Sequence, residues 1–372
     1  MGPVTYTIEE LIAHKESGKV SAEAVEKLRA DADKILGMPT LSVTKIKLPR
    51  PSGDAHDYVS MGIYWWPNPD TPDGLPYVNR DGYVNPDTKT ENNPGALYGR
   101  INTLALAAFY LPERAPLYSE CAHRLLYDWY VNPETRMNPN AKYAQGIPGV
   151  CEGRGTGLID FATVYTLFNG IGILECLGLI DAQLLAEVKA WFVEFADWIL
   201  THEYGLRIDM GTDNHASWHD ANLLATAVFT DRVSLKKNIC LTAYEKRLRF
   251  LVKPDGSQPS ELRRTKAMGY SFYNLSAMLV IANIAERLGY KNYWGIDEVR
   301  GNCILKSAID FLYPYVMNPE SFPYQELYID KQRHRIISPL LSVAKRYPDE
   351  DYAERAAALI AECGFKMLEP VL

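Results

Sequence analysis

The stretch from Gly211 to Asp231 combines polar residue types with the spacing of a helix start. Asp213 or Asn214 is a natural N-cap, and apolar residues follow at helical spacing from Ala221. Such a helix holds Asn214, His215 and Trp218 in its first turns, where unpaired backbone N–H groups and the helix dipole favour an anion. An amide, an imidazole and an aromatic ring there suit a carboxylate-bearing ligand. The alternative interpretation is a helix cap with a buried histidine.

A second polar stretch, Glu261 to Tyr273, precedes an apolar helix. Its pattern places Arg264 near the helix start, Tyr270 about two turns further on and Tyr273 beside it. The alternative is that Tyr270 is a core aromatic residue and Arg264 half of a surface ion pair.

Read together, Asn-His-x-x-Trp and Glu-Leu-x-Arg-Thr with a following Tyr-Ser resemble the alginate lyase superfamily of polysaccharide lyases, in particular the branch with alginate and β-1,4-glucuronan lyases. The resemblance runs from about Ser52 to Gly289. It also includes the segments 52–58, 64–69 and 148–155. It implies an (α/α) toroid and β-elimination without a metal, so we expect no cofactor and no metal site.

β-Elimination explains why these residue types are wanted. The C5 proton of a uronate must be removed, the C4 oxygen expelled and the C6 carboxylate neutralised. Asn214, His215 and Arg264 suit the neutralising role. Tyr270 is the predicted acid and base, with Tyr273 as the rival; an ordinary tyrosine pKa of about 10 must be lowered by nearby cations for this.

Sugar geometry favours mannuronate or glucuronate chains as substrates. In both sugars the C5 hydrogen and the C4 oxygen lie on the same ring face, so one tyrosine can serve both steps. In guluronate they lie on opposite faces, and His215 would have to act as the base.

Further residues are predicted to bind the substrate. Arg154 lies between Gly153 and Gly155, where glycines let a ligand approach the backbone. The other candidates are Gln145, Trp65, Trp66, Tyr64, His56, Trp218 and Tyr273.

Three other functions remain open at this point. His215 and His219 resemble half a metal site, but Ala216 stands where a metalloprotease needs glutamate. A glycoside hydrolase would need two opposed carboxylates, for which Asp213, Asp220 and Glu152 are available. A sugar-binding protein would bind without turnover.

The pattern along the chain predicts an all-α fold. Prolines and aromatic residues fill residues 38–94, which predicts an ordered loop extension laid over the open end of a helical body. Elsewhere short connections join helical patterns, so we expect one α/α-toroid catalytic domain over residues 1–372. The predicted helices are 7–15, 21–36, 95–111, 116–130, 157–177, 181–201, 214–230, 234–251, 265–288, 296–313, 338–346 and 350–363.

Composition excludes some classes. The 372 residues carry a formal charge of −7, which argues against a non-specific nucleic-acid binder but permits an anionic polysaccharide as partner. Six scattered cysteines indicate neither a zinc site nor a disulfide framework. No apolar run is expected to span a membrane, and no signal peptide is visible. We expect a cytosolic protein, or a secreted or periplasmic one whose leader was removed; the oligomeric state stays open.

Overall fold

The structure is a computed structural model that describes residues 2–364 and 367–370. It is mainly helical, as the sequence predicts. The α-helices are α1 Ile8–Glu16, α2 Ala22–Leu36, α3 Pro94–Tyr110, α4 Ala115–Tyr130, α5 Val164–Cys176, α6 Ala182–Thr201, α7 Glu203–Asp209, α8 Asn214–Phe229, α9 Val233–Ala243, α10 Pro259–Leu262, α11 Ala267–Arg287, α12 Ile304–Met317, α13 Ile337–Arg346 and α14 Tyr352–Cys363. The short strands are β1 Val59–Met61, β2 Trp65–Trp66, β3 Val78–Asn79 and β4 Tyr143–Gly146.

The chain forms two compact units. Unit 1 consists of residues 1–8, 22–210 and 225–231, and unit 2 of residues 9–21, 211–224 and 232–372. Helix α8 contributes its first part to unit 2 and its last part to unit 1. The expectation of a single catalytic domain stays a prediction.

Unit 1 has a core rich in aromatic rings. Phe168 stacks on Phe229 with ring centroids 4.3 Å apart, and Phe192 packs edge-on against both. The buried amide of Asn169 accepts from the backbone N–H groups of Val4 and Thr5, which fixes the start of the chain to α5. Aromatic packing and a satisfied buried amide together stabilise this unit.

The proline-rich segment forms no α-helix between residues 38 and 93, all of which the structure describes. Instead, β1 pairs in parallel with β4, and β2 pairs with β3 in an antiparallel ladder. Prolines remove backbone donors and fix φ, so short ladders and turns replace a helix here. That the segment covers the open end of a helical body stays a prediction.

Unit 2 is organised around α11. Most of this helix is buried, including the run from Ala277 to Ala285. An apolar surface all round marks a helix enclosed by its neighbours.

Two predicted helix boundaries are wrong. The predicted helix start at residue 157 lies in a 3₁₀ segment, Gly155–Phe161. The helical path is then interrupted at Thr163, whose φ is +68°, and α5 begins only at Val164. The helix predicted from residue 296 begins at Ile304. Asp297 holds the preceding turn because its carboxylate accepts from the backbone N–H groups of Val299 and Arg300.

One stretch corrects the expectation about membrane spans. Among the described residues, Gly155–Cys176 is long and apolar enough to cross a membrane, with a mean hydropathy of 1.4. However, 72% of its apolar 18-residue part is buried inside the structure, as in the core helix of a globular protein. The length and composition of this stretch are therefore only weak evidence for a membrane-spanning segment.

Candidate functional site

The start of α8 is held by two carboxylates of the protein itself. Asp213 Oδ1 accepts from the backbone N–H of His215 at 3.0 Å, as an N-cap residue does. Glu261 Oε1 accepts from the backbone N–H of Asn214 at 2.7 Å, and Glu261 Oε2 accepts from Asn214 Nδ2 at 2.8 Å. Both Asn214 and Glu261 are 1% exposed.

This geometry corrects one expectation about the helix end. The backbone N–H groups of Asn214 and His215 at the start of α8 are not left unpaired for a ligand, because Glu261 and Asp213 accept hydrogen bonds from them. The backbone N–H of Ala216 donates to the carbonyl of Asp213. An anionic ligand would therefore be recognised by the side chains of this helix start rather than by its backbone.

His215 forms a side-chain pair with its capping residue. Its Nδ1 lies 3.2 Å from Asp213 Oδ1, and the imidazole is one-fifth exposed. When Nδ1 carries the proton and donates it to Asp213, Nε2 presents a lone pair. When both nitrogens are protonated, Nε2 becomes a donor that can neutralise a carboxylate. Asp213 thus orients the ring in either state.

Arg264, rather than its neighbour Arg263, belongs to the site. Its guanidinium carbon lies 3.8 Å from the centroid of the Tyr270 ring, a cation–π contact at close range. Arg263 is exposed, and its Nη2 lies 3.5 Å from Ser260 Oγ. The turn at Pro259–Leu262, with the N–H of Arg264 bonded to the carbonyl of Glu261, positions Glu261 and Arg264 together.

The two carboxylates beside Asn214 and His215 have opposite pKa shifts. Burial raises the pKa of Glu261 to about 7, and the nearby charge of Asp213 adds to this, while Asn214 and Arg264 oppose it. Burial also acts to raise the pKa of Asp213, but the hydrogen bonds from His215 and the charge of Arg264 outweigh it and lower that pKa. Two neighbouring like charges oppose each other's ionisation, and Glu261, the more buried of the two acids, is the one that holds its proton longer.

Tyr273 and Trp218 are packed against each other. Their ring centroids are 5.0 Å apart, and Trp218 is 1% exposed. Trp218 is therefore a core residue here, which corrects the expectation that its ring is offered to a ligand. Its size and apolar rings make burial the stronger demand. Tyr273 shares in that packing, whereas Tyr270 lies under Arg264.

Unit 1 contains a second polar cluster with three of the predicted binding residues. Arg154 Nη2 donates to Gln145 Oε1 at 2.9 Å, and Arg154 Nε donates to the carbonyl of Gln145 at 3.2 Å. The guanidinium lies over Trp65, 5.9 Å from the ring centroid. A Cβ at Gly62 would stand 2.6 Å from Trp65 Cδ1 and 3.0 Å from Arg154 Nη2, so only glycine fits there.

A half-buried acid that the sequence analysis missed, Asp160, supports this second cluster. Asp160 accepts from Gln145 Nε2 at 2.8 Å, from the Tyr58 hydroxyl at 3.1 Å and from the Ser60 hydroxyl. Gln145 has a φ of +50°, which a non-glycine residue adopts only when its surroundings hold it. Asp160 therefore positions Gln145, which in turn positions Arg154. Its sequence context, Gly-Leu-Ile-Asp-Phe, carries no signal for such a role.

The remaining predicted binding residues of unit 1 do not join this cluster through any contact described. Trp66 lies on the other face of β2, with Arg80 over its ring at 5.4 Å and its Nε1 donating to the carbonyl of Tyr83. His56 Nδ1 lies 2.6 Å from the carbonyl oxygen of Arg136. Tyr64 is half-buried, and its carbonyl accepts from the N–H of Arg80. Their binding roles stay predictions.

One of the two histidines of the metal hypothesis, His219, lies beside a buried acid. His219 is buried with Nδ1 3.3 Å from Asp220 Oδ1, and Asp220 Oδ2 accepts from Arg247 Nε at 2.8 Å. Asp220 is therefore committed to an arginine and a histidine, so it does not offer the free carboxylate that a hydrolase needs.

Comparisons with known proteins agree on one family. Residues 42–322 match the family model for alginate lyase. A crystal structure of an alginate lyase from Bacteroides ovatus is 34% identical and superposes with a TM-score of 0.90, covering 96% of this chain and 95% of that one. Alginate lyase A1-III from Sphingomonas species A1, solved with a tetrasaccharide, is 17% identical with a TM-score of 0.53 over 87% of each chain, which bears on the fold alone.

A curated relative, an alginate lyase from Cobetia marina, is 31% identical over 144 residues. That alignment covers 38% of this chain and 35% of the relative, so the match spans about a third of the relative's length. The structural likeness confirms the predicted all-α fold class of the α/α-toroid type. With three-quarters of its residues in the family match, the chain belongs to the alginate lyase family.

Proposed function

We propose that this protein is a polysaccharide lyase that cleaves β-1,4-linked uronate chains by β-elimination without a metal. Its substrate is an anionic polysaccharide, either the mannuronate blocks of alginate or glucuronan. The observation that carries this proposal is the continuous cluster from Asn214 through Glu261 and Arg264 to Tyr270. Family membership supports the same reaction.

Three side chains would neutralise the uronate carboxylate. Asn214 supplies an amide, His215 an imidazole oriented by Asp213, and Arg264 a fixed guanidinium. Donors preorganised in this way stabilise the negative charge that develops as C5 loses its proton, because they need no rearrangement at that moment.

Tyr270 would move the protons. The guanidinium of Arg264 lies over its ring, where a positive charge stabilises the negative charge that the phenol carries during proton transfer. The phenolate oxygen takes the C5 proton, the C5–H electron pair forms the C4=C5 double bond, and the C4–O bond breaks. Tyr270 then returns its proton to the leaving oxygen, so atoms and charge balance within one syn elimination.

Glu261 would act as a positioning residue for the reaction. Both of its oxygens accept from Asn214, one from the backbone and one from the side chain. These two hydrogen bonds, which we call the Glu261 clamp, leave Asn214 Oδ1 buried and without a hydrogen-bond partner among the described residues. The orientation of the amide therefore depends on the carboxylate, since a donor at Glu261 would favour the flipped amide.

A hydrolase receives less support from the same residues. Asp213 caps α8 and orients His215, while Asp220 pairs with Arg247. Neither is available as a free acid or nucleophile, and glycoside hydrolysis needs two such groups.

The test is the chemistry of the product. Purified protein is incubated separately with polymannuronate, polyguluronate and glucuronan, and the ultraviolet absorbance of the conjugated unsaturated uronate is followed. We expect absorbance to rise on polymannuronate or glucuronan. New reducing ends without that absorbance would indicate hydrolysis, and binding without any product would indicate a non-catalytic protein.

A further inference from the structure

A segment near the end of unit 2 lies directly against the stretch that joins Arg264 to Tyr270. The N–H of Ala267 donates to the carbonyl of Gln325 at 3.0 Å, and the N–H of Leu327 donates to the carbonyl of Thr265 at 3.2 Å. Glu326 Oε2 accepts from the N–H of Gly269 at 2.9 Å. Residues 325–327 therefore line the chain that carries the two proposed catalytic side chains.

The next residues keep to the same place. Gln332 packs so closely on Gly269 that a Cβ there would lie 3.0 Å from Gln332 Oε1. Gly269 directly precedes Tyr270 in the sequence. Both ends of the segment from 325 to 332 therefore contact the chain at the first turn of α11.

Between residues 325–327 and Gln332 lies the aromatic ring of Tyr328, with two lysine ammonium groups close to it. Tyr328 is 40% exposed. Lys266 Nζ lies 5.0 Å from its ring centroid, and Lys331 Nζ lies 5.1 Å from the same centroid. The nearby acid Glu326 accepts from the N–H groups of Gly269 and Tyr328 with its two oxygens.

A short basic run follows Tyr328, beginning directly after the exposed acid Asp330. The run from Lys331 to Arg335 reads Lys-Gln-Arg-His-Arg, in a chain with a formal charge of −7. Arg333 pairs with Glu362, whereas Lys331, His334 and Arg335 are exposed. A basic patch on an acidic protein attracts a polyanion locally while the rest of the surface repels it.

We propose that Lys266, Tyr328 and Lys331 form a binding subsite for a further uronate residue of the polymer, next to Tyr270. The apolar face of a sugar ring stacks on Tyr328, and its carboxylate, or that of a neighbouring sugar, pairs with the two ammonium groups. This inference rests on the proposed function. Tyr328 and Lys331 lie beyond residue 322, where the family match ends, so they form a feature of this chain rather than of the matched segment.

The subsite contributes to binding and not to the chemical step. In a Lys266→Gln/Lys331→Gln double variant, we expect KM for polymannuronate to rise about tenfold with kcat within about twofold, because two ion pairs that solvent can reach each contribute a few-fold in affinity. The salt dependence of KM should weaken in parallel. Tyr328→Ala should raise KM and Tyr328→Phe should not, since stacking needs the ring and not the hydroxyl.

Matched controls separate the subsite from general effects of charge. Lys266→Arg/Lys331→Arg restores the charges and should recover most of the wild-type KM. Lys345→Gln removes an exposed lysine that pairs with Glu10, and Tyr127→Ala removes an exposed tyrosine of α4; both should leave KM unchanged. Circular dichroism and Tm establish that each variant is folded.

Two failures can be told apart. If the wild type acts on polymannuronate and the glutamine double variant keeps its KM and salt dependence, the subsite inference is overturned and the lyase proposal stands. If the wild type turns over no polyuronate, the lyase proposal fails. Retardation in gels containing polymannuronate then decides the subsite: loss of retardation in the glutamine and alanine variants supports it, and unchanged retardation overturns it.

Discussion

Two polar clusters of the molecule each contain an acid that accepts hydrogen bonds from an amide side chain, but the other partners of the two acids differ. In unit 2, Glu261 binds the amide of Asn214; in unit 1, Asp160 binds the amide of Gln145. In each cluster an arginine lies near, Arg264 close enough to influence Glu261 and Arg154 hydrogen-bonded to Gln145. In both, an acid holds an amide side chain beside residues that are predicted to act in catalysis or binding.

The partners of the two acids are different. Glu261 receives both hydrogen bonds from one residue and has the second acid Asp213 nearby, so its pKa rises to about 7. Asp160 receives hydrogen bonds from Tyr58, Ser60 and Gln145, which come from β1 and β4 and their flanks. Burial raises its pKa, while these hydrogen bonds and Arg154 oppose the rise. The comparison suggests a pH-sensitive clamp in unit 2 and a rigid anchor in unit 1.

The largest effect is expected at Tyr270, the proposed proton-transferring residue beside the unit 2 cluster. Tyr270→Phe removes the phenolic oxygen, and we expect kcat to fall by about 10³-fold because general acid–base catalysis is lost. Tyr273→Phe, whose ring packs on Trp218, is the matched control and should retain most activity. The measurement is the initial rate of unsaturated-uronate formation. Similar losses in both variants would contradict the assignment of Tyr270.

Glu261→Gln tests whether the clamp orients Asn214. The amide replaces one acceptor by a donor, which favours the flipped Asn214, and we expect kcat to fall by about 10²-fold with little change in KM. Glu261→Asp keeps the charge but shortens the reach, so it should be intermediate. Full activity of Glu261→Gln would show that the carboxylate is not needed to position the amide.

The same variant tests the pH response through folding stability. A carboxyl whose pKa is raised from 4.5 to about 7 in the folded protein stabilises fully below about pH 4.5, and this contribution is lost as pH rises through 7. We expect wild type to lose about 3 kcal/mol of unfolding free energy over this window relative to Glu261→Gln. Urea denaturation at a series of pH values measures it. Parallel pH curves for the two proteins would exclude the raised pKa.

Asp160→Asn tests the anchor on the other side of the comparison. One of its oxygens becomes a donor facing groups that already donate, so we expect a stability loss of about 1–3 kcal/mol. Gln145 and Arg154 should loosen with it, raising KM while kcat stays near wild type. Asp160→Asn is therefore expected to change KM, whereas Glu261→Gln is expected to change kcat. A fall in kcat alone would place Asp160 in the chemistry instead.

The smallest effect is expected at the close approach of Trp65 and Arg154. Gly62→Ala puts a methyl group 2.6 Å from Trp65 Cδ1, so the ring or the guanidinium must move. We expect KM to rise a few-fold, on the order of 1 kcal/mol as for a strained packing change, with kcat unchanged. Gly99→Ala, at an exposed glycine of α3 with open space around it and no positive φ, controls for the addition of a methyl group in unit 1. Equal KM values for Gly62→Ala and wild type would contradict the prediction that Arg154 and Trp65 bind the substrate.

The sequence by itself determined the local features of this protein. The helical periodicity of α8 and α11, the cap at Asp213 and the proline-rich segment without a helix depend on contacts within a few residues, and these were predicted correctly. The motif pair also singled out Asn214, His215, Arg264 and Tyr270, which the structure brings into one cluster. Their catalytic roles remain predictions.

Tertiary structure decided what depends on distant partners. Glu261 meets Asn214 across 47 positions, and Asp160 gathers donors from 15 to 102 positions away. Packing also buried Trp218, which the sequence analysis placed among the ligand-binding residues, and set the guanidinium of Arg264 over the ring of Tyr270. Periodicity reports which face of a helix is apolar, but the desolvation of a carboxylate and the orientation of an amide depend on groups that only the folded chain brings together.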